Sequence, residues 1–153
     1  GGDREVLMTL LEREPDLVRE KTPFGPLLHV AADIGDEQVL DLLIARGADI
    51  EARGGTLGGT ALNYAASSAQ LGATRLLLRH GAQMDVSEPE RNPLFSAIYS
   101  GSLGIARLLV EHGIDTTVAY TGESMKNMDA LAFALERGQT RIAHFLRTRL
   151  QVI

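Results

Sequence analysis

The stretch "LLHVAADIGDEQVLDLLIARGADI", residues 27–50, places an alanine-bearing segment, a glycine and an apolar stripe in a fixed order. Three later stretches repeat that order: "ALNYAASSAQLGATRLLLRHGAQM" (61–84), "PLFSAIYSGSLGIARLLVEHGIDT" (93–116) and "ALAFALERGQTRIAHFLRTRLQVI" (130–153). Leu28, Leu62, Leu94 and Leu131 stand at steps of 34, 32 and 37 residues. Ala31, Ala65, Ala97 and Ala134 each follow three residues later, and then come the small residues Gly35, Ala69, Gly101 and Gly138. An apolar trio at i, i+3, i+4 closes each pattern: Val39/Leu42/Leu43, Ala73/Leu76/Leu77, Ile105/Leu108/Leu109 and Ile142/Phe145/Leu146. Such a trio is one buried stripe of an α-helix. The alanines let a short first helix approach its neighbours. Gly47, Gly81 and Gly113 end the first three units and suit the left-handed position after a helix. No such unit buries its apolar side alone, so the period predicts a stack of helix pairs sharing one core.

On these residues the chain resembles the ankyrin-repeat family, whose unit is about 33 residues long and carries a T-P-L-H-x-A signature. The signature is degenerate here, reading "PLLHVA", "TALNYA", "NPLFSA" and "DALAFA". Thr60, Asn92 and Asp129 are good helix N-caps, whereas Pro26 offers no capping side chain. The resemblance implies an all-α solenoid of about 4.5 helix–turn–helix units with short β-hairpin fingers. The expected organisation is one domain, 1–153: a half-repeat cap at 3–20, repeats at 21–53, 54–86 and 87–118, and a capping repeat at 119–153. At the amino end Leu7, Leu10 and Leu11 match Val39, Leu42 and Leu43 at a step of 32. In the last helix Arg141, His144, Arg147 and Arg149 form a polar set suited to facing water.

The glycine-rich "ARGGTLGGT", residues 52–60, invites comparison with a phosphate-binding loop. It follows the end of a repeat, "GADIEAR", and no lysine lies between Lys21 and Lys126. A phosphate loop requires a preceding strand and, in its commonest form, a lysine after the glycines. The stretch therefore reads as a hairpin connector, lengthened by one residue.

Bulk composition narrows the function. Of 153 residues, 44% are apolar, 23% charged and 5% aromatic, a soluble globular profile with an aliphatic core. The net charge of −5 argues against a nucleic-acid binder, and no apolar run approaches a membrane span. Cysteine is absent, which removes disulfides and thiolate chemistry and fits a cytoplasmic location. Thirteen arginines against two lysines point to a bacterial source.

His80 and His112 precede the closing glycines, where an imidazolium suits the helix dipole. Glu88 and Glu90 in "SEPER" read as a charged turn, and Glu123 with Lys126 as a solvated pair. No nucleophile, base and oxyanion donor come together, so catalysis, cofactor and metal are not expected.

The resemblance implies binding of a protein partner by a concave face. Its parts are the fingers (among them Phe24, Arg53, Thr56, Leu57, Met84, Asp85, Arg91 and Tyr120) and the ends of the first helices (Asp33/Ile34, Ser67/Ser68, Tyr99/Ser100, Glu136/Arg137). Ile34, Arg53, Leu57, Tyr99, Tyr120 and Met125 are the candidate contacts, large apolar, aromatic and arginine residues being the types that anchor interfaces. Small bacterial ankyrin-repeat proteins include accessory partners of enzymes and neutralisers of toxins, a subclass the resemblance makes plausible. A monomer is expected. The alternative is self-association through Val6, Leu7 and Met8.

Overall fold

The computed structural model describes residues 2–23, 25–56 and 58–151. Helix α1 (Gly2–Arg13) leads through a 3₁₀ turn (Pro15–Arg19) into a two-stranded antiparallel finger, β1 (Lys21–Thr22) and β2 (Gly25–Pro26), paired Lys21 to Pro26 and Thr22 to Gly25. Four helix pairs follow: α2 (Leu27–Ile34) and α3 (Glu37–Ala45), α4 (Ala61–Ser67) and α5 (Leu71–Arg79), α6 (Pro93–Ser100) and α7 (Leu103–Glu111), α8 (Ala130–Glu136) and α9 (Thr140–Gln151). Helices α2, α4, α6 and α8 stack as an inner layer, and α3, α5, α7 and α9 as an outer one. This is the solenoid that the period predicts.

The inner layer packs the more closely because its facing positions are alanines: Ala32, Ala61, Ala65, Ala66, Ala97 and Ala134 are all fully enclosed. Leu28, Leu62 and Leu94 fill the space between layers, with Leu43, Leu77, Leu109 and Leu146 opposing them from the outer helices. The outer stripe is centred slightly later than the trio suggests. Val39, Leu42, Leu76 and Phe145 are only half-buried, whereas Leu40, Thr74, Ala106 and Ala143 are buried. Thr74 tolerates this because its hydroxyl donates to the Gln70 carbonyl at 2.8 Å.

Caps start the helices as their side chains dictate. Asn92 accepts from the Leu94 N–H, and Asp129 accepts from the Ala132 N–H. Asp36 and Ser102 cap the outer helices α3 and α7 in the same way. At α4 the capping is reciprocal, the Thr60 N–H donating to Asn63 Oδ1 at 3.0 Å. Pro26 caps nothing.

The inner-to-outer turn needs positive φ, and Gly35, Gly101 and Gly138 supply 82°, 72° and 70°. Ala69 stands in that position in the second unit and takes φ 57°, a conformation costly for an L-residue with a Cβ.

Helix α1 docks on α3. Leu11 is buried, Leu7 packs against the core, and Arg4 reaches Asp36 at 3.2 Å. Leu10 stays exposed, as do Val6 (60%) and Met8 (42%). At the other end Arg141, His144, Arg147 and Arg149 are exposed. No helix among the described residues is long and apolar enough to cross a membrane.

Candidate interaction face

The connectors between units differ. The glycine-rich one closes as a hairpin through the Gly54–Gly59 bridge, and lies against the first finger so closely that a Cβ on Gly54 would meet Pro26 Cδ at 3.0 Å. Those glycines serve backbone packing. The third connector, expected as a finger, forms no bridge. Arg91 and Asn92 donate their N–H groups to the Glu88 carbonyl instead, giving a turn. Pro89, which lacks an N–H, sits inside it and removes a donor that a ladder would use. The fourth connector is bridged by Tyr120 and Met128, with N–H···O distances of 3.0 and 2.9 Å in the two directions.

One register position ties each inner helix to the next connector. In α2 it is His29, whose Nε2–H donates to the Ala52 carbonyl at 2.8 Å. Burial lowers the His29 pKa, with the Ala52 bond acting the other way. In α4 it is Asn63, whose Nδ2 donates to the Arg91 carbonyl at 2.6 Å. In α6 it is Phe95, which makes ring contacts instead. It stacks on Phe133 with centroids 4.7 Å apart and meets Tyr120 edge-on at 5.1 Å.

Tyr120 is therefore built in. Its ring is half-buried, its hydroxyl donates to the Val86 carbonyl at 2.8 Å, and it accepts from Asn92 Nδ2 at 3.0 Å. Burial raises the phenol pKa, while the Asn92 bond pulls it down. Arg53 is likewise engaged: it pairs with Asp85 at 2.5 Å across neighbouring connectors. Hydrogen bonds from Ser87, more than the arginine, hold the Asp85 carboxyl below its ordinary range.

Ile34 and Tyr99 are 66% and 62% exposed. Each lines a cleft between inner helices and connectors. Ile34 shares a cleft of about 400 Å³ with Val30, Asp33, Thr56, Tyr64, Ser67 and Ser68. Tyr99 shares one of about 290 Å³ with Met125, Phe95, Phe133, Pro89, Glu90, Ser67 and Ser96. Ser67 lies on both, so the two clefts are neighbours on this face. Three of the six candidates thus meet on one surface: Ile34, Tyr99 and Met125. Arg53 and Tyr120 brace the connectors beside it. Leu57, like Phe24, lies outside the described residues.

Phe95, Phe133 and Glu90, none of them among the expected contacts, also line the Tyr99 cleft. Phe95 had a visible signal, since it replaces the polar His29 and Asn63 at its register position.

The remaining polar groups have local tasks. His80 Nε2 lies 3.0 Å from Asp41, and His112 Nδ1–H donates to the Leu108 carbonyl at 2.8 Å. Glu88 pairs with Arg91 at 3.3 Å, while Glu123 and Lys126 are exposed and do not pair. Among the described residues no group of three or more His, Asp or Glu side chains is placed to hold a metal ion. A family model described as ankyrin repeats, in three copies, matches residues 28–120.

Proposed function

The chain belongs to the ankyrin-repeat family, whose repeats are in general protein-interaction modules and typically non-catalytic, and from this premise we propose that it captures a protein partner on the face formed by its connectors and inner helices. The observation that carries this reading is the exposure of Ile34 and Tyr99 on two neighbouring clefts, the first of mixed lining and the second walled by Phe95, Phe133 and Met125. A large apolar side chain gains about 1.5–3 kcal/mol when fully buried, so a partner covering both would draw substantial free energy from two residues. Aromatic anchors in desolvated pockets are where interface energy concentrates.

The finer setting we propose is the cytoplasm of a bacterium, with the chain acting as an accessory or toxin-neutralising partner. The cysteine-free, arginine-biased composition supports that setting.

The test uses the chain and its Ile34→Arg/Tyr99→Arg variant as parallel baits in native lysate, read by mass spectrometry. Both substitutions fall on exposed side chains, so the variant keeps its helical circular dichroism. One stoichiometric protein lost with the variant is the expected result. A partner that both baits retain places the site elsewhere. Tyr120→Arg is unsuitable for this purpose, because it would break the junction with Val86 and Asn92.

Exposed Val6 and Met8 on α1 favour a second reading, self-association. Mass measured by light scattering across a wide concentration range decides it, a rising mass being the supporting outcome.

A further inference from the structure

We propose that the captured partner segment is both apolar and basic: a large apolar side chain enters the Phe95–Tyr99–Phe133 cleft, and a neighbouring arginine or lysine meets Glu90. This rests on the interaction-face reading above and adds the chemistry of what the face accepts.

The cleft has the size and walls for a side chain. At about 290 Å³ it falls at the floor of the roughly 300–1,000 Å³ typical of small-molecule pockets, and it is open. Phe95 and Phe133 are held parallel to within 7°, and Tyr120 braces Phe95 from its edge. These rings are already ordered, so seating an apolar group against them costs little conformational entropy. Met125 forms a deformable edge that adjusts to the shape of the incoming group.

The charges then select what surrounds that group. Glu90 is exposed on the cleft and makes no hydrogen bond or ion pair among the described residues, whereas Glu88, two residues earlier, pairs with Arg91. In the adjoining cleft the Asp33 carboxylate receives, among the described residues, only the Ser68 hydroxyl. Among the described residues, neither cleft is lined by an arginine or a lysine. Arg137 lies over the Tyr99 ring, 4.9 Å from its centroid, and keeps its charge there, on the side of the cleft that Tyr99 forms.

An acidic segment would set like charge against both carboxylates. A purely apolar one would strip water from Glu90 and return nothing. A segment carrying a cation beside its apolar anchor satisfies both demands, and the net charge of −5 draws it in from a distance.

The experiment pans a displayed library of random linear peptides against the full chain. Affinities of an enriched peptide are then measured by fluorescence anisotropy for the wild type, Glu90→Lys and Tyr99→Arg. Both substitutions are at exposed positions, and matching thermal melts confirm that the variants fold.

Enriched sequences should carry a large apolar residue within two positions of an arginine or lysine. Glu90→Lys should weaken binding about tenfold, and changing the peptide's basic residue to glutamate should restore binding to that variant. Tyr99→Arg should weaken it by at least about tenfold. Peptides without basic bias, or indifferent to Glu90→Lys yet lost with Tyr99→Arg, overturn the charge inference and leave the interaction face standing. Binding indifferent to both substitutions overturns both. Failure to enrich any sequence overturns the inference alone, since the lysate experiment judges the face independently.

Discussion

His29 is buried with one ring nitrogen bonded to Ala52 and the other, Nδ1, without a hydrogen-bond partner among the described residues. The neighbouring unit shows what is missing. There the N-cap Thr60 donates its N–H to Asn63, the residue in the same register as His29. Pro26 occupies the cap position in the first unit and has no N–H to give. Pro26→Thr, with φ −57° and ψ 151° already suited to threonine, should supply both that donor and a capping hydroxyl. Against the proline's restriction of the unfolded chain, a net gain of about 1 kcal/mol is expected in urea denaturation. A loss would mean that the contact of Pro26 with Gly54 matters more. The same burial makes His29 pH-sensitive. Its folded pKa is lowered, chiefly by desolvation, from an ordinary value of about 6.5. As pH falls through that unfolded value, the unfolded chain takes a proton that the folded chain refuses. Stability is therefore full above about pH 6.5 and declines below it until the folded pKa is passed. Chemical melts from about pH 7.5 to about pH 5 should show a steeper decline for the wild type than for His29→Asn, which adopts the Asn63 solution. Parallel declines would assign the sensitivity to another group. Ala69 is a further local exception, holding φ 57° where three sister positions hold glycine. Ala69→Gly should stabilise by about 0.5–1 kcal/mol, the relief of left-handed strain exceeding glycine's chain entropy. A lower melting temperature would show that the Ala69 methyl packs productively.

At the scale of the helix, close approach in the inner layer depends on small side chains. Ala65 and Ala97 are fully enclosed between successive inner helices, with no room for a branch. Ala65→Leu should destabilise by about 1–3 kcal/mol through forced separation of α4 from its neighbours, measured by denaturant melts. An unchanged midpoint would imply a cavity that the packing conceals. These elements were legible in the sequence because their signals are local: alanine spacing, a stripe at i, i+3, i+4, and cap types at Asn92 and Asp129. The absent strand pairing at Pro89 had a local cause too. The two roles of Tyr120 and Tyr99 were not separable in that way. One read as a finger aromatic and the other as an aromatic at a helix end, both exposed, yet Tyr120 is fastened by Val86 and Asn92, 34 and 28 residues away, whereas Tyr99 meets the Arg137 guanidinium and stays exposed. Contacts between units decide the difference. Comparing units by register could have found Phe95, the ring that holds Tyr120 in place and floors the cleft.

Across the whole molecule, each unit touches its sequence neighbours, and stability is a sum of units and junctions. The junctions are made of unlike chemistry. The first ties His29 to Ala52, where the chain enters the glycine-rich connector to the next unit, the second joins Asn63 to Arg91, and the third is the Phe95–Tyr120–Asn92–Val86 cluster. The exposed Arg53–Asp85 pair adds little, as surface ion pairs do. Tyr120→Phe keeps the ring against Phe95 but removes the hydroxyl that satisfies both the Val86 carbonyl and the Asn92 amide. Leaving such partly buried groups without partners costs about 1–3 kcal/mol. In a linear array that loss falls on one junction, so it should free the last unit rather than weaken every helix equally. Native-state hydrogen exchange should then show α8 and α9 losing amide protection, while α4 and α5 retain theirs. Equal loss throughout would mean that the stack unfolds as a single cooperative block. The outcome bears on binding as well, because Phe133 of α8 is one wall of the aromatic cleft. A variant that opens α8 would lose a partner held there even though Tyr99 and Glu90 are untouched.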